Sequence, residues 1–133
     1  MATAFGKERY RGVVPHIPVT DARAAASFYV EAFGAEITDQ RPIEDGRLIH
    51  CEVLINGGAF MISDLFPEHG TGQAGCGGAV MHICTDNPRE GWNRAKAAGM
   101  EVTHDLHVAF WGDLYGQMKD RFGVTWAFVG PAD

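Results

Sequence analysis

Apolar and polar positions in the first half of the chain predict a strand, a helix and three further strands. The segment 13–19 is short and rich in β-branched residues, which predicts a strand, and Thr20 or Asp21 after it can cap a helix. The helix that follows ends at Gly34 and has one apolar stripe at helical spacing, made of Ala25, Phe28, Ala32 and Phe33. The hairpin signals Asp45-Gly46 and Asn56-Gly57 divide the rest into strands at 35–42, 47–55 and 59–63.

The second half of the chain carries the same pattern. A strand over 79–84 leads into Asn87-Pro88-Arg89-Glu90, which places a capping residue, a proline and an acid at a helix start. Gly99 ends this helix. The strands predicted after it cover 101–105, 113–119 and 124–129.

The two halves are an internal repeat. Val14-Pro15-His16-Ile17 recurs as Val80-Met81-His82-Ile83, and Gly34-Ala35-Glu36 recurs as Gly99-Met100-Glu101. We therefore predict two modules, at about 12–64 and 79–129, joined by a glycine-rich linker at 65–78. A module of this size buries too little surface to be stable alone, so residues 1–133 are expected to form one domain.

The composition narrows the class of protein and its partners. Apolar residues make up 46% of the 133 residues and charged residues 21%, as in ordinary globular proteins. A net charge of −6 without a basic cluster argues against nucleic acid as a partner. No apolar run approaches the roughly 18 residues that span a bilayer, so no membrane partner is predicted.

The expected location follows from the N-terminus and the cysteines. Residues 1–11 contain no apolar segment of the kind found in signal peptides. Cys51, Cys76 and Cys84 are too few and too irregularly spaced for a disulfide framework. We therefore expect reduced thiols in a cytoplasmic protein.

A set of motifs resembles one known superfamily. In the second module these motifs are Phe110-Trp111-Gly112, Tyr115-Gly116 and Asp120-Arg121-Phe122-Gly123-Val124-Thr125-Trp126. In the first module they are Ser27-Phe28-Tyr29, Phe33-Gly34-Ala35-Glu36, His50-Cys51-Glu52 and Gly57-Gly58. With the duplicated order of elements, they resemble the vicinal-oxygen-chelate superfamily of glyoxalase I, bleomycin-resistance proteins and extradiol dioxygenases, and within it the PhnB-like branch.

The resemblance implies an α+β protein in which two tandem βαβββ modules form a curled mixed sheet. Helices would cover the convex face of this sheet, and a small-molecule ligand would bind in the concave face. Relatives of this size are usually homodimers, so a homodimer is expected. The strands can assemble within one chain or by exchange of modules between two chains, and the sequence leaves both arrangements open.

Metal-dependent members of this superfamily hold a divalent ion with four ligands in the concave face. Carried over one at a time, the ligand positions fall on Val14, on Ile62 give or take one residue, on Val80 and on Ala127. None of these side chains has a lone pair to donate, so the usual metal site is expected to be absent and no cofactor is predicted. Glyoxalase I-type isomerisation and extradiol ring cleavage, which need that ion, are not expected.

Strand alternation places four polar residues in the concave face. His16 and His82, which are related by the repeat, are expected to share it, and His50 and Glu52 enter from a neighbouring strand. These four side chains either line a solvated ligand pocket or form a displaced divalent-metal site.

Residues on or beside the seventh strand complete the predicted pocket. Trp111, Tyr115 and Gln117 would supply aromatic walls and polar tips for a small molecule. The alternative for Trp111 and Trp126 is a place in the core or the dimer interface, and for Trp126 we prefer the core.

We predict no function for the remaining histidines and thiols. His69, His104 and His107 fall in loop or strand-end segments. Cys84 as a nucleophile beside His82 would require a precise ligand pose, and we do not favour it.

Two functions remain open. The first is a binding module that holds a small molecule without chemistry, which we rank slightly ahead because the four usual metal ligands are missing. The second is an enzyme of the lyase, isomerase or dioxygenase type, which would use the displaced His/Glu metal site or His and Glu as acid–base groups.

Overall fold

The computed structural model of the protein describes residues 10–133. The segment in which no signal peptide is predicted lies almost entirely in residues 1–9, outside the described residues. Among the described residues, neither helix has the length and apolar character needed to cross a lipid bilayer.

The predicted α+β class and the repeated order of elements are confirmed. The first module consists of β1 (His16–Pro18), α1 (Ala22–Phe33), β2 (Glu36–Pro42), β3 (Leu48–Ile55) and β4 (Gly58–Ser63). The second consists of β5 (Val80–Cys84), α2 (Pro88–Ala97), β6 (Glu101–Val108), β7 (Asp113–Lys119) and β8 (Thr125–Pro131).

Two strands differ most from their predicted lengths. β1 begins at His16 rather than at residue 13, because its parallel ladder to β4 starts with the pair His16–Met61. Val13 precedes this ladder and is 96% exposed. β6 continues to Val108 rather than ending at 105, because its pairing with β7 continues to that residue.

The helix boundaries follow the capping signals, with one correction. Asp21 caps α1, since its Oδ1 accepts a hydrogen bond from the Ala24 N–H at 3.1 Å, and Gly34 ends the helix with a φ of 68°. Asn87 stands at the N-cap of α2, but its side chain makes no capping hydrogen bond. Its backbone N–H instead donates to Thr85 Oγ1 at 3.1 Å, and Pro88 begins the helix with its fixed φ.

Each module forms its own four-stranded mixed sheet. The strand order is β1-β4-β3-β2 in sheet 1 and β5-β8-β7-β6 in sheet 2. The pairs β1–β4 and β5–β8 are parallel, and the remaining pairs are antiparallel. No ladder joins the two sheets between residues 10 and 133, so they do not close on each other within the chain.

The two sheets share one hydrophobic core. Trp126 on β8 lies 5.2 Å from Tyr29, 4.7 Å from Phe33 and 5.6 Å from Phe60, measured between ring centroids. Trp126 is only 2% exposed, which confirms its predicted place in the core. Because Tyr29 and Phe33 belong to α1 and Phe60 to β4, both sheets turn one face toward this common core. Their other faces therefore lie on the outside.

A buried carboxylate joins the two modules. Asp120, between β7 and β8, accepts hydrogen bonds from the Tyr29 hydroxyl at 2.6 Å and from the Trp126 indole N–H at 2.9 Å. It also accepts from the backbone N–H groups of Phe122 and Val124, at 2.8 Å and 3.1 Å. Burial and the nearby Asp120 both raise the pKa of Tyr29, so its hydroxyl stays protonated and remains a donor.

Arg94 of α2 makes a second connection between the modules. Its Nε donates to the carbonyl oxygen of Glu31 at 2.9 Å, and its Nη2 donates to that of Val30 at 3.3 Å. These carbonyls belong to the last turn of α1, where the helix end favours positive charge, and the Val30 carbonyl also accepts from the Gly34 N–H at 3.0 Å. Arg94 therefore caps the C-terminus of α1 and holds α1 beside α2.

The linker at 65–78 packs against both modules. Phe66 is buried and pairs with Thr71 in an isolated bridge. The Gly75 N–H donates to the Pro18 carbonyl at 2.7 Å, and a Cβ at Gly75 would collide with the Gly123 carbonyl. The linker backbone thus lies directly against the turn between β7 and β8.

Two open sheet faces as the candidate ligand site

The face of sheet 1 that points away from the shared core carries acid–base side chains. Along one cross-strand row, His16 pairs with Met61, Met61 with Glu52, and Glu52 with Asp39. Side chains of paired residues point to the same face of a sheet. Residues next to them on the strands, such as Ile17 and Cys51, are buried in the core. We call this surface the acid–base face, defined by His16, Asp39, His50, Glu52 and Ser63.

Polar contacts connect the side chains of the acid–base face with one another and with Thr38. His16 Nε2 lies 2.9 Å from Ser63 Oγ, and His50 Nε2 lies 3.6 Å from Asp39 Oδ2. Glu52 is 2% exposed, and its Oε1 accepts a hydrogen bond from the Thr38 hydroxyl. The face therefore combines two imidazoles, two carboxylates and a hydroxyl.

The electrostatic environment favours a neutral His16. Partial burial lowers the pKa of His16 from its ordinary value, and the neighbouring His50 lowers it further. A neutral imidazole has one nitrogen that accepts a proton. At neutral pH this side chain is therefore available as a hydrogen-bond acceptor or a base.

The uncovered face of sheet 2 carries rings. Tyr115 lies at its centre, with ring centroids of His82 at 5.6 Å, Trp111 at 5.6 Å and His107 at 6.4 Å. His104 lies 4.8 Å from His107, again between centroids. We call this surface the ring face, defined by His82, His104, His107, Trp111, Tyr115 and Gln117.

Two members of the ring face, His104 and His107, were assigned no role in the sequence analysis. They pair with Gln117 and Tyr115 on β7, and the register of β6 is irregular between them. This bulge brings two residues three positions apart onto one face, where regular alternation would separate them. The structure therefore corrects their assignment to loop or strand-end positions, since both lie within β6.

The positions of the usual metal ligands do not fit a metal centre. Val14 precedes β1, and Ile62 is fully buried on the core side, so only its neighbours reach the acid–base face. Val80 begins β5, and Ala127 lies on the ring face between His82 and Gln117. All four side chains are hydrocarbon, which excludes them as ligands.

The residues of the displaced metal site are divided between the sheets. His16, His50 and Glu52 lie on the acid–base face, whereas His82 lies on the ring face. This differs from the expectation that His16 and His82 share one concave face, because the modules bury their opposite faces in a common core. Across the part of the chain that the structure describes, no three His, Cys, Asp or Glu residues converge as a metal site.

The structure also shows the surroundings of Trp111 and of the three cysteines. Trp111 is 50% exposed, which excludes a place in the core of the single chain. Cys51, Cys76 and Cys84 are all free, and burial raises the pKa of Cys51 to about 11. The exposed Cys84 ends β5 on the side of the sheet that also carries His82.

A groove lies where the two modules meet. It has a volume of about 300 Å³ and runs between the β3–β4 hairpin and β5. Ile55, Phe60, Met81 and Trp126 form most of its apolar lining, and His82 borders it. A groove of this size is at the lower limit for small-molecule sites, so it does not replace the two open faces as a candidate.

These features define the chain as a duplicated βαβββ protein in which each sheet has one face turned away from the shared core. The chain belongs to the Glyoxalase/Bleomycin resistance protein/Dioxygenase superfamily, whose family model matches residues 13–128. The superfamily predicted from the sequence is thereby confirmed.

Relatives are found among bacterial proteins. An uncharacterized protein of Mycobacterium bovis is 36% identical over 123 residues, which cover 88% of this chain and 81% of that protein. The Escherichia coli protein YjdN is 30% identical over 84 residues, which cover 62% of this chain and 55% of YjdN.

Solved structures share the fold. Protein PA1353 from Pseudomonas aeruginosa has a TM-score of 0.74 at 24% identity, covering 93% of this chain and all of that one (100%). TioX from Micromonospora sp. ML1 has a TM-score of 0.73 at 22% identity, covering 92% and 100%. A PhnB protein from Bacillus cereus has a TM-score of 0.70 at 18% identity, covering 90% and 98%. At these identities the similarity concerns the fold.

Proposed function

We propose that this protein binds a small molecule between the acid–base face of one copy and the ring face of a second copy. The observation that carries the proposal is that each sheet presents binding chemistry on the face that points away from the shared core, while the modules pack through their opposite faces. Small-molecule sites combine apolar or aromatic walls with a few polar groups, which the two faces supply together. The function is therefore binding in a homodimer.

The connections between the modules support a cup shared by two chains. Tyr29 is hydrogen-bonded to Asp120, and Arg94 is hydrogen-bonded to the end of α1. These two connections keep the acid–base face and the ring face on the outside of each chain. Closing the two faces of one chain on each other would break both connections and expose Trp126. A second copy completes the cup without this cost.

Binding is proposed to proceed without a divalent metal, because the usual ligand positions hold hydrocarbon side chains. Elemental analysis of the purified protein is expected to find no stoichiometric transition metal. A stoichiometric metal that is lost in His16→Ala or His82→Ala would contradict metal-free binding. The free thiols favour a reducing compartment, so we propose the cytoplasm as the location.

A subunit-mixing experiment tests the shared cup. The probe is 8-anilinonaphthalene-1-sulfonate, followed by fluorescence, with sedimentation equilibrium to measure the oligomeric state. We expect a dimer that binds the probe, and weakened binding in both His16→Ala and Tyr115→Ala. Mixing the two variants after unfolding and refolding should restore about a quarter of the sites, because half of the dimers are then mixed and each has one intact cup.

The matched control for this experiment is His69→Ala, which removes an exposed histidine outside both faces. It should bind the probe like the unmodified protein. A chain that stays monomeric at all concentrations, or a mixture that restores no sites, would rule out the shared cup.

An enzyme is the second candidate, and the hydrogen bond between His16 and Ser63 favours it. A neutral His16 that is oriented by Ser63 and shares its face with Glu52 is suited to acid–base catalysis on an oxoacid or a thiohemiacetal. Turnover should then depend on pH and be lost in His16→Ala and Glu52→Ala, but not in His69→Ala. Full activity in both variants would exclude this face as the catalytic site.

A further inference from the structure

The ring face contains five rings, and four of them are exposed. His82, His104 and His107 are exposed, Trp111 is 50% exposed, and Tyr115 is partly buried between them. The aromatic side chains of the core, by contrast, are almost completely buried. An uncovered group of rings on a rigid sheet therefore needs an explanation other than packing within the chain.

The arrangement of the rings suits a flat ligand. Tyr115 makes tilted or edge contacts with its three neighbouring rings, at interplanar angles of 55°, 70° and 85°. Aromatic rings prefer offset stacked or edge-to-face partners, and this group presents both faces and edges to solvent. A planar aromatic molecule satisfies these preferences better than a puckered aliphatic ring of similar volume.

One row of side chains crosses the whole ring face. The cross-strand row His82–Ala127–Gln117–His104 runs through all four strands of sheet 2. Ala127 is fully buried within this row, whereas His82 and His104 at its two ends are exposed. Tyr115 lies on the same face as Gln117, beside this row.

One hydroxyl on the ring face is positioned to donate to a ligand. Gln117 Nε2 donates a hydrogen bond to the Tyr115 hydroxyl at 2.8 Å. The phenolic oxygen therefore acts as the acceptor in this pair, so its own proton can be donated to another acceptor. A carboxylate or carbonyl oxygen on a bound molecule would accept it.

We propose that the ring face binds a planar aromatic molecule that carries a carboxylate or carbonyl oxygen. The aromatic part lies against the exposed rings, and the oxygen accepts the proton of the Tyr115 hydroxyl. This inference rests on the binding function proposed above and names the class of ligand. It assigns His104 and His107 as residues that determine ligand specificity.

Two matched probes test the inference by isothermal titration calorimetry on the full chain. 2-Naphthoate is planar, and trans-decahydro-2-naphthoate has the same carboxylate on a puckered ring system. We expect 2-naphthoate to bind about tenfold more tightly, in line with the strength of ring–ring contacts. Equal affinities for the two probes would overturn the aromatic class and leave a general binding function intact.

Single substitutions distinguish the contribution of the histidine rings to binding from that of the Tyr115 hydroxyl. His107→Leu and His104→Leu keep the bulk but remove a ring, and each should reduce the preference for 2-naphthoate severalfold. Tyr115→Phe keeps the ring but removes the donor, so it should weaken both probes about tenfold and preserve their ratio. His69→Leu, the matched control, should change neither affinity.

Each outcome bears on a different proposal. An unchanged preference in both histidine variants would overturn the role of the ring face. If neither naphthalene-derived carboxylate binds, the ligand class proposed here is wrong. The proposed function is judged separately, by the oligomeric state and by the mixing of variants with 8-anilinonaphthalene-1-sulfonate.

Discussion

At the scale of single residues, Asp120 shows how one carboxylate connects two modules. It is 6% exposed and accepts four hydrogen bonds, two of them from side chains of α1 and β8. A buried ionised group is tolerated only when its lone pairs are occupied in this way. Asp120 is recognisable in the sequence as part of a motif, but its partner Tyr29 lies 91 residues away and is revealed only by the fold.

Replacing Asp120 by Asn should destabilise the protein by about 2–4 kcal/mol, because an amide nitrogen cannot accept the bonds that one carboxylate oxygen accepts. Urea unfolding followed by circular dichroism measures the change. Asp86→Asn, at an exposed position, is the control and should stay within about 0.5 kcal/mol of the unmodified protein. An equally small effect in both variants would contradict a connecting role for Asp120.

The pKa of His16 should lie below its ordinary value of 6.5 in the folded protein, chiefly because of burial and secondly because of His50. A folded-state pKa below the unfolded one means that the unfolded chain binds the proton first as pH falls. The contribution of His16 to stability is therefore constant above about pH 6.5 and is lost as pH falls below it.

Nuclear magnetic resonance titration of the imidazole carbons measures this pKa. In His50→Gln it should rise only part of the way to 6.5, because burial remains. His69→Gln should leave it unchanged. A His16 pKa at or above 6.5 in the unmodified protein would show that the ring is solvated or paired with an acid.

At the scale of elements, α2 packs closely on sheet 2 at Gly116 of β7. A Cβ on Gly116 would lie 2.6 Å from the Trp92 ring and 2.9 Å from the Cα of Leu106. Contacts this short cannot be relieved by a side-chain rotation alone, since one of them is to backbone. This close approach explains the glycine after Tyr115 in the motif.

Gly116→Ala should therefore destabilise the protein by about 1–3 kcal/mol through overpacking. The control is Gly78→Ala, where an added Cβ meets nothing within 4 Å. Thermal unfolding of the two variants compares them directly. A Gly116→Ala protein as stable as Gly78→Ala would mean that α2 lies farther from β7 than described.

Element boundaries were predictable where local chemistry sets them. Asp21, Gly34 and the Asn56-Gly57 turn determine the ends of α1 and the β3–β4 hairpin through their own backbone preferences. The length of β6 was not predictable, because the bulge between His104 and His107 depends on pairing with β7. Bulges change which residues share a face, so the composition of the ring face was predicted only in part.

At the scale of the whole molecule, the shared core predicts that the two modules unfold together. Trp126 of the second module packs against Tyr29, Phe33 and Phe60 of the first, so neither module keeps a complete core without the other. Stability of this kind gives a single cooperative transition.

Urea unfolding followed by far-ultraviolet circular dichroism and by tryptophan fluorescence should therefore give coincident curves. Trp111→Phe removes the exposed indole, so that the fluorescence reports the buried Trp92 and Trp126. Two separated transitions in this variant would show that the modules are independent units.

The sequence by itself determined the repeat, the order of the elements and three of the five residues of the acid–base face, without Asp39 and Ser63. Period-two alternation along a strand and capping at helix ends are local effects, and His16, His50 and Glu52 follow from them. Only the tertiary structure decided which faces of the two sheets are buried together, and hence that His16 and His82 lie on different surfaces. That choice depends on contacts such as Tyr29 with Asp120 and Trp126, between residues distant in the chain, whose pairing no local pattern encodes.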